Sequence, residues 1–427
     1  MNKLELHTNH NVYVLGAGFS ADAGLPTIAT FMQTLREAGE HYKHSGNDRN
    51  AKAIARVLEY RLRAAGAAYR CKVNPDNIED LFSLIDIEES GAPSTEIEES
   101  IRQAIAATIE FSRIGYARNP RDVQLAVQNT SGVQGAKLGR PVKNNASQRI
   151  LPLYDAYLAA LTGMLYESVP ERRDTIISFN YDTLVEDALV NLKRPYSYGF
   201  HRDQYNIAKD DDRFVFCGED LPDEFTRGDD KSAAVAVLKL HGSVNWGLQY
   251  FPSRKEREPQ HDQLLVYRSF ASLMASGADR VFVEPPTWRK GYGNQGRGMA
   301  TIWANALQAL RTASRIIVIG YSLPLTDVHF RYLLAAGLRQ NISLQEILFV
   351  NSALAENDPS YQDMASRIFQ ILRPELRERG VVRFRGDYLK NELIRNPGMP
   401  LEHHKESLFA IINPNAGNRA PPFALIP

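Results

Sequence analysis

The sequence predicts an α/β fold built on a doubly wound, mostly parallel sheet with a large helical insertion. Short apolar runs rich in β-branched residues recur at wide spacing, and several are followed by a glycine, asparagine or histidine turn and then by a helical pattern. Continuous apolar strands without polar alternation are typical of a sheet buried on both faces, which is usually parallel. The succession of strand, turn, helix and strand indicates a doubly wound sheet.

The predicted elements follow from these runs in chain order. The predicted strands are Val12–Leu15, Thr175–Phe179, Val237–Leu240, Val281–Val283, Ile316–Ile319, Ile347–Val350 and Val381–Phe384. Apolar residues three and four apart predict helices over Ala51–Ala68, Ile78–Glu88, Glu96–Ile114, Ser147–Leu165, Thr301–Thr312 and Val328–Arg339. We therefore expect one domain over residues 1–400, with a helical insertion at about 28–170, and a C-terminal tail over 401–427.

The composition excludes several classes of protein. The chain has 427 residues, of which 44% are hydrophobic, so it can bury a sizeable core. Lys+Arg and Asp+Glu both number 50, and this balance gives no reason to expect direct nucleic-acid binding or a membrane partner. The two cysteines, Cys71 and Cys217, cannot form a disulfide scaffold or a four-cysteine zinc site. Because neither a signal peptide nor a long apolar run is present, we expect a cytoplasmic protein.

The first candidate ligand-binding segment is VYVLGAGFS, which leads the first strand through two glycines into a helix start. Gly16 and Gly18 let the backbone turn sharply and approach a pyrophosphate, whose charge is favoured by the N–H groups and dipole of the helix. Many α/β proteins have such a turn without binding a nucleotide. This segment alone leaves both interpretations open.

Two further segments place polar side chains after predicted strands. Asn180 and Asp182 in SFNYD stand two residues apart and can bind a polar head group, although for this segment alone the simpler interpretation is that Asp182 caps the following helix. His241 in KLHGS is a candidate general base because its intrinsic pKa lies near neutrality. The chain has ten histidines, and a lone one is more often structural.

The last two segments close neighbouring predicted strands. In GYSLP, Gly320 and Ser322 form a second strand–glycine–helix turn suited to a phosphate or ribose. In FVN, the amide of Asn351 could hold a ribose hydroxyl. The alternative for both segments is a capped helix or an ordinary turn.

Together, and in this order, the five segments resemble the sirtuin family, specifically its bacterial NAD-hydrolase branch in antiphage defence. GAGFSADAGLP resembles the family's GAG-x-S-A-x-x-G-[IL]-P loop, SFNYD its T-x-N-x-D segment and KLHGS its L-H-G motif. GYSLP resembles the G-x-S-L motif, and FVN resembles the adenosine-ribose segment. The resemblance implies a Rossmann-like, sirtuin-like NAD-binding domain.

The resemblance also implies a role for each matching residue. Asn180 would lie at the nicotinamide ribose and help to place the attacking water. Asp182 would hold the nicotinamide carboxamide, and His241 would act as a base at the ribose hydroxyls. The remaining residues would bind the diphosphate and the riboses; they are Gly16, Ala17, Gly18, Ser20, Gly320, Ser322 and Asn351.

The activity implied by the resemblance is NAD glycohydrolysis, which converts NAD into nicotinamide and ADP-ribose and depletes NAD during phage infection. Deacylating sirtuins carry four zinc cysteines, which Cys71 and Cys217 cannot supply, so we expect neither zinc nor another metal. An NAD-dependent deacylase and a non-enzymatic NAD or ADP-ribose sensor remain the alternatives. The resemblance further implies a homo-oligomer and, as a partner, a HerA-type ATPase.

Overall fold

The computed structural model describes residues 10–89, 95–126, 140–142, 145–162, 173–200, 205–207, 235–251, 261–276, 280–285, 296–324 and 327–386. The strands are β1 His10–Leu15, β2 Asp122–Ala126, β3 Arg140–Val142, β4 Asn145–Pro152, β5 Arg173–Ser178, β6 Tyr196–Ser197, β7 Tyr205–Ile207, β8 Val235–Lys239, β9 Gly242–Phe251, β10 His261–Val266, β11 Arg280–Val283, β12 Arg315–Ile319, β13 Glu346–Val350 and β14 Val382–Arg385. The helices are α1 Ala17–Ser20, α2 Phe31–His44, α3 Asp48–Ala68, α4 Ile78–Glu89, α5 Thr95–Arg118, α6 Leu153–Leu161, α7 Leu184–Asn191, α8 Phe270–Ala275, α9 Gly296–Thr312, α10 Val328–Leu338, α11 Tyr361–Ile371 and α12 Glu375–Glu378.

A seven-stranded sheet forms the centre of the molecule. Its strand order is β14-β13-β12-β1-β5-β8-β6, and every neighbouring pair is parallel. From β1 the chain adds β5 and β8 on one side, and it later places β12, β13 and β14 on the other. The order therefore reverses between β1 and β12, which is where ligands bind in sheets of this kind. The predicted doubly wound, mostly parallel sheet is confirmed.

The strand register places the five candidate segments along one edge of this sheet. Leu15 of β1 lies opposite both Ser178 of β5 and Ile319 of β12. Ser178 in turn lies opposite Lys239 of β8, and Ile319 lies opposite Val350 of β13. The segments that follow these residues consequently leave the sheet side by side at its carboxyl edge.

Helices enclose the sheet and extend the core beyond it. All residues of β1, β12 and β13 are buried, as expected for parallel strands that are covered on both faces. Helix α9 packs against β1, β8 and α10, while α6 packs against α7. A further layer is formed by α2, α3 and α5, and α5 also packs against β9 and β11. Helix α4 buries one apolar face, which consists of Ile78, Leu81, Phe82 and Ile85.

Two predicted elements differ from the structure. The run Val281–Val283 is a strand, but it pairs antiparallel with β9 in a separate four-stranded sheet, β11-β9-β10-β7. The helix predicted from Ser147 begins only at Leu153, because the preceding residues form β4 and pair with β2 and β3. The predicted tail over 401–427 lies outside the described residues. None of the described helices combines the length and apolar character needed to cross a membrane.

Candidate active site at the carboxyl edge of the sheet

Two glycine turns touch each other at the point where the strand order reverses. The amide of Gly16 donates to the carbonyl of Ile319 (3.0 Å), and the amide of Gly18 donates to the carbonyl of Gly320 (2.8 Å). Gly320 has a φ of 63°, and a Cβ built there would lie 2.2 Å from the amide nitrogen of Phe19. Glycine is therefore required at 320 both by the left-handed backbone and by the close approach of the loop after β1.

This contact bears on how the first loop could hold a diphosphate. The amides of Gly16 and Gly18 already donate to carbonyls at the end of β12. Gly18 is exposed and Ala17 is half-buried, so this outer side of the loop is the one that a ligand can reach. The predicted diphosphate role of the loop would accordingly use atoms other than those two amide hydrogens.

Asn180 joins the end of β5 to the loop after β1. Its Nδ2 donates to the carbonyl of Gly16 and to Oγ of Ser20, each at 2.9 Å. The Ser20 hydroxyl donates in turn to Oδ2 of Asp182 (2.7 Å). All three side chains are at least nine-tenths buried. The predicted site residues from two separate parts of the sequence thus form one continuous hydrogen-bond chain.

Asp182 also supports the start of the following helix. Its Oδ1 accepts a hydrogen bond from the amide of Leu184, the first residue of α7 (3.0 Å). Asp182 therefore makes two contacts at once: it supports the start of the helix, as the alternative interpretation expected, and it accepts the hydrogen bond from Ser20. The carboxylate is held at both oxygens and is 4% exposed, so its position is fixed before any ligand binds.

His241 lies on the same edge, at the end of the neighbouring strand β8. Its ring makes an edge contact with Phe179 at 5.1 Å between centroids. The ring of Phe179 stacks on Tyr321 at 4.6 Å. Phe179 therefore connects the loops after β5, β8 and β12. The next residue, Gly242, has a φ of 77°, and a Cβ there would lie 2.3 Å from the carbonyl oxygen of Phe282, which fixes the backbone beside His241.

Ser322 and Asn351 lie at the far side of the reversal point. Asn351 accepts a hydrogen bond from the amide of Ala353 at 3.1 Å through Oδ1, and its Nδ2 donates to the carbonyl of Tyr321 at 3.4 Å. The Ser322 carbonyl accepts a hydrogen bond from Nη1 of Arg367 (2.8 Å). The bond to Ala353 is the one expected of a turn, and the separate bond to Tyr321 links the loop of Asn351 to the GYSLP segment.

Carboxylates lie near two tyrosines of the site. Burial raises the pKa of Tyr181, and the negative charges of Glu284, Glu79 and Asp327 raise it further. The Tyr181 hydroxyl donates to the carbonyl of Glu284 (2.6 Å). Burial and Asp327 likewise raise the pKa of Tyr321, whose hydroxyl donates to the Asp327 carboxylate. Both tyrosines consequently remain neutral donors, and the nearby negative charge favours a cationic ligand.

Sequence reasoning missed the residues that support the site from behind. Tyr154 of α6 donates its hydroxyl to the carbonyl of Phe19 (2.6 Å), just after the first glycine turn. Lys239 is 1% exposed and forms an ion pair with Glu186 of α7 at 3.1 Å. One signal was present in the sequence: a lysine in the apolar run VAVLKL must find a partner if that strand is buried.

This arrangement can be compared with known proteins. Residues 174–368 match the model of the SIR2-like domain. The match covers less than half of the chain; it includes SFNYD, KLHGS, GYSLP and FVN but not the first glycine loop. The structure joins that loop to the SIR2-like segment through Gly320 and Asn180. No curated protein matches the chain.

Among solved structures, the chain is similar to several Sir2 proteins. One is Sir2 in complex with an inhibitor, 2′-O-acetyl-ADP-ribose and a deacetylated peptide, at 13% identity over 87% of this chain and 94% of that chain, with a TM-score of 0.29. A Sir2 homologue bound to NAD is 12% identical over 85% and 89% of the two chains, with a TM-score of 0.29. A Sir2 homologue mutant bound to ADP ribose is 12% identical over 85% and 91%, with a TM-score of 0.28.

Proposed function

We propose that this protein is an NAD glycohydrolase that cleaves NAD into nicotinamide and ADP-ribose. One observation carries the proposal: Asn180, Asp182 and His241 follow neighbouring parallel strands at one sheet edge, beside the touching glycine turns of the reversal point. Within a segment that matches the SIR2-like domain, this combination supports a dinucleotide site with a base and an amide at the ribose.

The chemistry of NAD cleavage makes modest demands that these residues meet. Bound nicotinamide is cationic and leaves as a neutral base, so no acid is needed to protonate it. The barrier lies in an oxocarbenium-like ribose, as in glycoside cleavage generally. The site must clamp the dinucleotide, orient the nicotinamide and place a water at the ribose carbon.

Asn180 is suited to holding the attacking water. Its Nδ2 is fixed by Gly16 and Ser20, while its Oδ1 has no hydrogen-bond partner within the part of the chain that the structure describes. A fixed amide oxygen can accept a hydrogen bond from water and hold it in place. His241 would accept a hydrogen bond from a ribose hydroxyl, and the carboxylates near Tyr181 would favour the developing positive charge.

The remaining predicted roles complete the proposal. Asp182 would hold the nicotinamide carboxamide, and the residues at the two glycine turns and at Asn351 would bind the diphosphate and the adenosine side. We further propose that the protein acts in the cytoplasm, in antiphage defence, as a homo-oligomer regulated by a HerA-type ATPase. These biological parts rest on the resemblance of the motifs to the antiphage branch.

The test is to incubate the purified full-length chain with NAD and to measure free nicotinamide, with and without a co-expressed HerA-type ATPase. We expect nicotinamide and ADP-ribose in equal amounts, and at least about 100-fold slower release for Asn180→Ala. Tight NAD binding without turnover in both samples would replace the proposal with a sensor. Turnover that depends on an acetyl-lysine peptide would replace it with a deacylase.

A further inference from the structure

A buried ion pair lies directly behind the candidate active site. Lys239, at the end of β8, is two residues before His241 and is 1% exposed. Its Nζ pairs with Oε1 of Glu186 (3.1 Å) and also donates to the backbone carbonyl of Asp182. Lys239 thus contacts the backbone of one predicted site residue, Asp182, and its own strand leads into a second one, His241.

The pair is enclosed in the core and makes further polar contacts there. Glu186 accepts a hydrogen bond from the Tyr198 hydroxyl (3.1 Å), which accepts one from Nδ2 of Asn245 (3.3 Å). Burial raises the pKa of Glu186, and the positive charge of Lys239 opposes that rise. A group so enclosed can influence the chemistry only through the position of its neighbours.

Stability alone gives little reason for such a pair. Moving two charges out of water costs free energy of hydration, and their mutual attraction offsets little more than this cost. Replacing a buried pair by apolar residues is therefore often neutral or stabilising. The hydrogen bond to the Asp182 carbonyl supplies a reason, because it ties β8 to the loop after β5. Glu186 extends the tie to α7, whose first amide donates to Oδ1 of Asp182.

We propose that the Lys239–Glu186 pair positions the active site by fixing the backbone at Asp182, and with it the Asn180–Ser20–Asp182 hydrogen-bond chain relative to His241. Lys239 and Glu186 are positioning residues: neither touches the substrate. The catalytic consequence rests on the proposed NAD glycohydrolase function, whereas the effect on the backbone does not.

The decisive variant is the double substitution Lys239→Met/Glu186→Gln, since a single substitution would leave an unpaired buried charge. The amide oxygen introduced by Glu186→Gln can still accept the hydrogen bond from the Tyr198 hydroxyl, so the fold is expected to survive. The matched control is Arg315→Met/Glu346→Gln, which removes a similarly buried ion pair (Nε to Oε2, 2.9 Å) from the opposite edge of the same sheet. The amide oxygen introduced by Glu346→Gln can still face Nη1 of Arg383, which lies 3.5 Å from Oε1 of Glu346 and is buried.

Two measurements are made on both variants. The first is nicotinamide release: we expect kcat to fall by about 10- to 100-fold in the Lys239/Glu186 variant with KM changed less, and both constants to hold in the control. The second is amide hydrogen exchange at Leu184 and Val244, which donate to Asp182 Oδ1 and to the Tyr181 carbonyl. We expect at least about 10-fold faster exchange in the first variant alone.

The two readouts separate the possible failures. Unchanged kcat and unchanged exchange in Lys239→Met/Glu186→Gln would overturn the positioning role. A wild-type protein that releases no nicotinamide would reject the proposed function, while the exchange comparison would still decide what the pair does. If this double variant does not fold, the apolar double variant Lys239→Leu/Glu186→Leu is measured in the same way against the same control.

Discussion

The two edges of the central sheet use buried polar residues in different ways. At the amino edge, the His10 ring bonds to the hydroxyls of Thr312 (2.9 Å) and Thr175 (3.0 Å), and Arg315 pairs with Glu346 on the next strand. These side chains belong to the strands or to the helix end beside them. At the carboxyl edge, Asn180, Asp182 and His241 belong to the loops that follow the strands.

This difference shows why only one edge is a candidate active site. Strand residues at the amino edge are locked between their neighbours, so they stabilise the order of the strands. The carboxyl-edge loops meet across the reversal point, where Gly16 and Gly18 bond to the end of β12 and Asn180 reaches the first loop. Polar groups on converging loops are fixed relative to one another and can still border a ligand.

The largest expected effect tests whether folding of the carboxyl edge requires the close backbone contact between the Gly320 turn and the loop after β1. Gly320→Ala places a Cβ 2.2 Å from the amide of Phe19 at a φ of 63°, and we expect a loss of about 3–5 kcal/mol in the free energy of unfolding. Gly380, just before β14 at the amino edge, has a φ of 74° but nothing within 4 Å of a built Cβ. Gly380→Ala should therefore cost only about 1–2 kcal/mol in urea unfolding. Equal costs would show that the close approach is not needed.

The next effect compares two buried histidines, one at each edge. His241→Ala should slow nicotinamide release by at least about 100-fold with little change in the unfolding midpoint, because the ring acts on the ribose. His10→Ala should instead lower the unfolding midpoint with little change in nicotinamide release, because it removes the hydrogen bonds of the ring nitrogens to the Thr175 and Thr312 hydroxyls. Steady-state kinetics and urea unfolding of both variants test this difference between the two edges. If His10→Ala loses as much activity as His241→Ala, the proposed difference is contradicted.

A pH effect should arise at α6, the helix that supports the loop after β1 through Tyr154. Asp155 belongs to α6, next to Tyr154, and burial raises its pKa to about 6 while a hydrogen bond from Asn191 opposes the rise. The folded state therefore holds this proton more tightly than the unfolded state, so the carboxyl lowers stability progressively as pH rises from about 4 to above 6. Asp155→Asn should raise the free energy of unfolding by about 1–3 kcal/mol at pH 7.5 and by much less at pH 4.5. A gain of the same size at both pH values would refute this account.

The smallest effect compares two tyrosine hydroxyls that bond to backbone carbonyls. Tyr154→Phe loses the bond to Phe19 behind the first glycine turn, and Tyr42→Phe loses a bond to Ala107 within the helical layer (3.1 Å). Each should cost about 1 kcal/mol of stability. Only Tyr154→Phe should also raise KM for NAD, by about 2- to 5-fold, because only its partner borders the site. A similar KM change in both variants would point to a general loosening of the fold.

Much of the sheet could be predicted from the sequence, because each parallel strand is a local apolar run ending in a turn. The exception, Val281–Val283, shows the limit: such a run specifies a strand but not its partner, and this one pairs with β9. Tertiary pairing also overrides local pattern at 147–152, where helical spacing gives way to β4. Helix α2 was not predicted, although Met32, Leu35 and Ala38 form its buried stripe.

The site residues could be predicted as a group, whereas their contacts could not. A pattern places Gly16 and Gly320 after strands, but it does not show that their backbones touch. Nor does spacing reveal that Ser20 links Asn180 to Asp182, since that bond joins residues 162 positions apart. The roles of Lys239 and Tyr154 could not be predicted, because their partners lie in α7 and in the loop after β1, which are far from them in the sequence.

The most direct test of the central claim is hydrogen exchange of the full-length protein with and without NAD, read by mass spectrometry. The account predicts slower exchange in peptides covering 16–20, 178–184 and 320–324, and no change in peptides covering 312–315 and 343–346. Protection at the amino edge, or no protection at the carboxyl edge at saturating NAD, would contradict it.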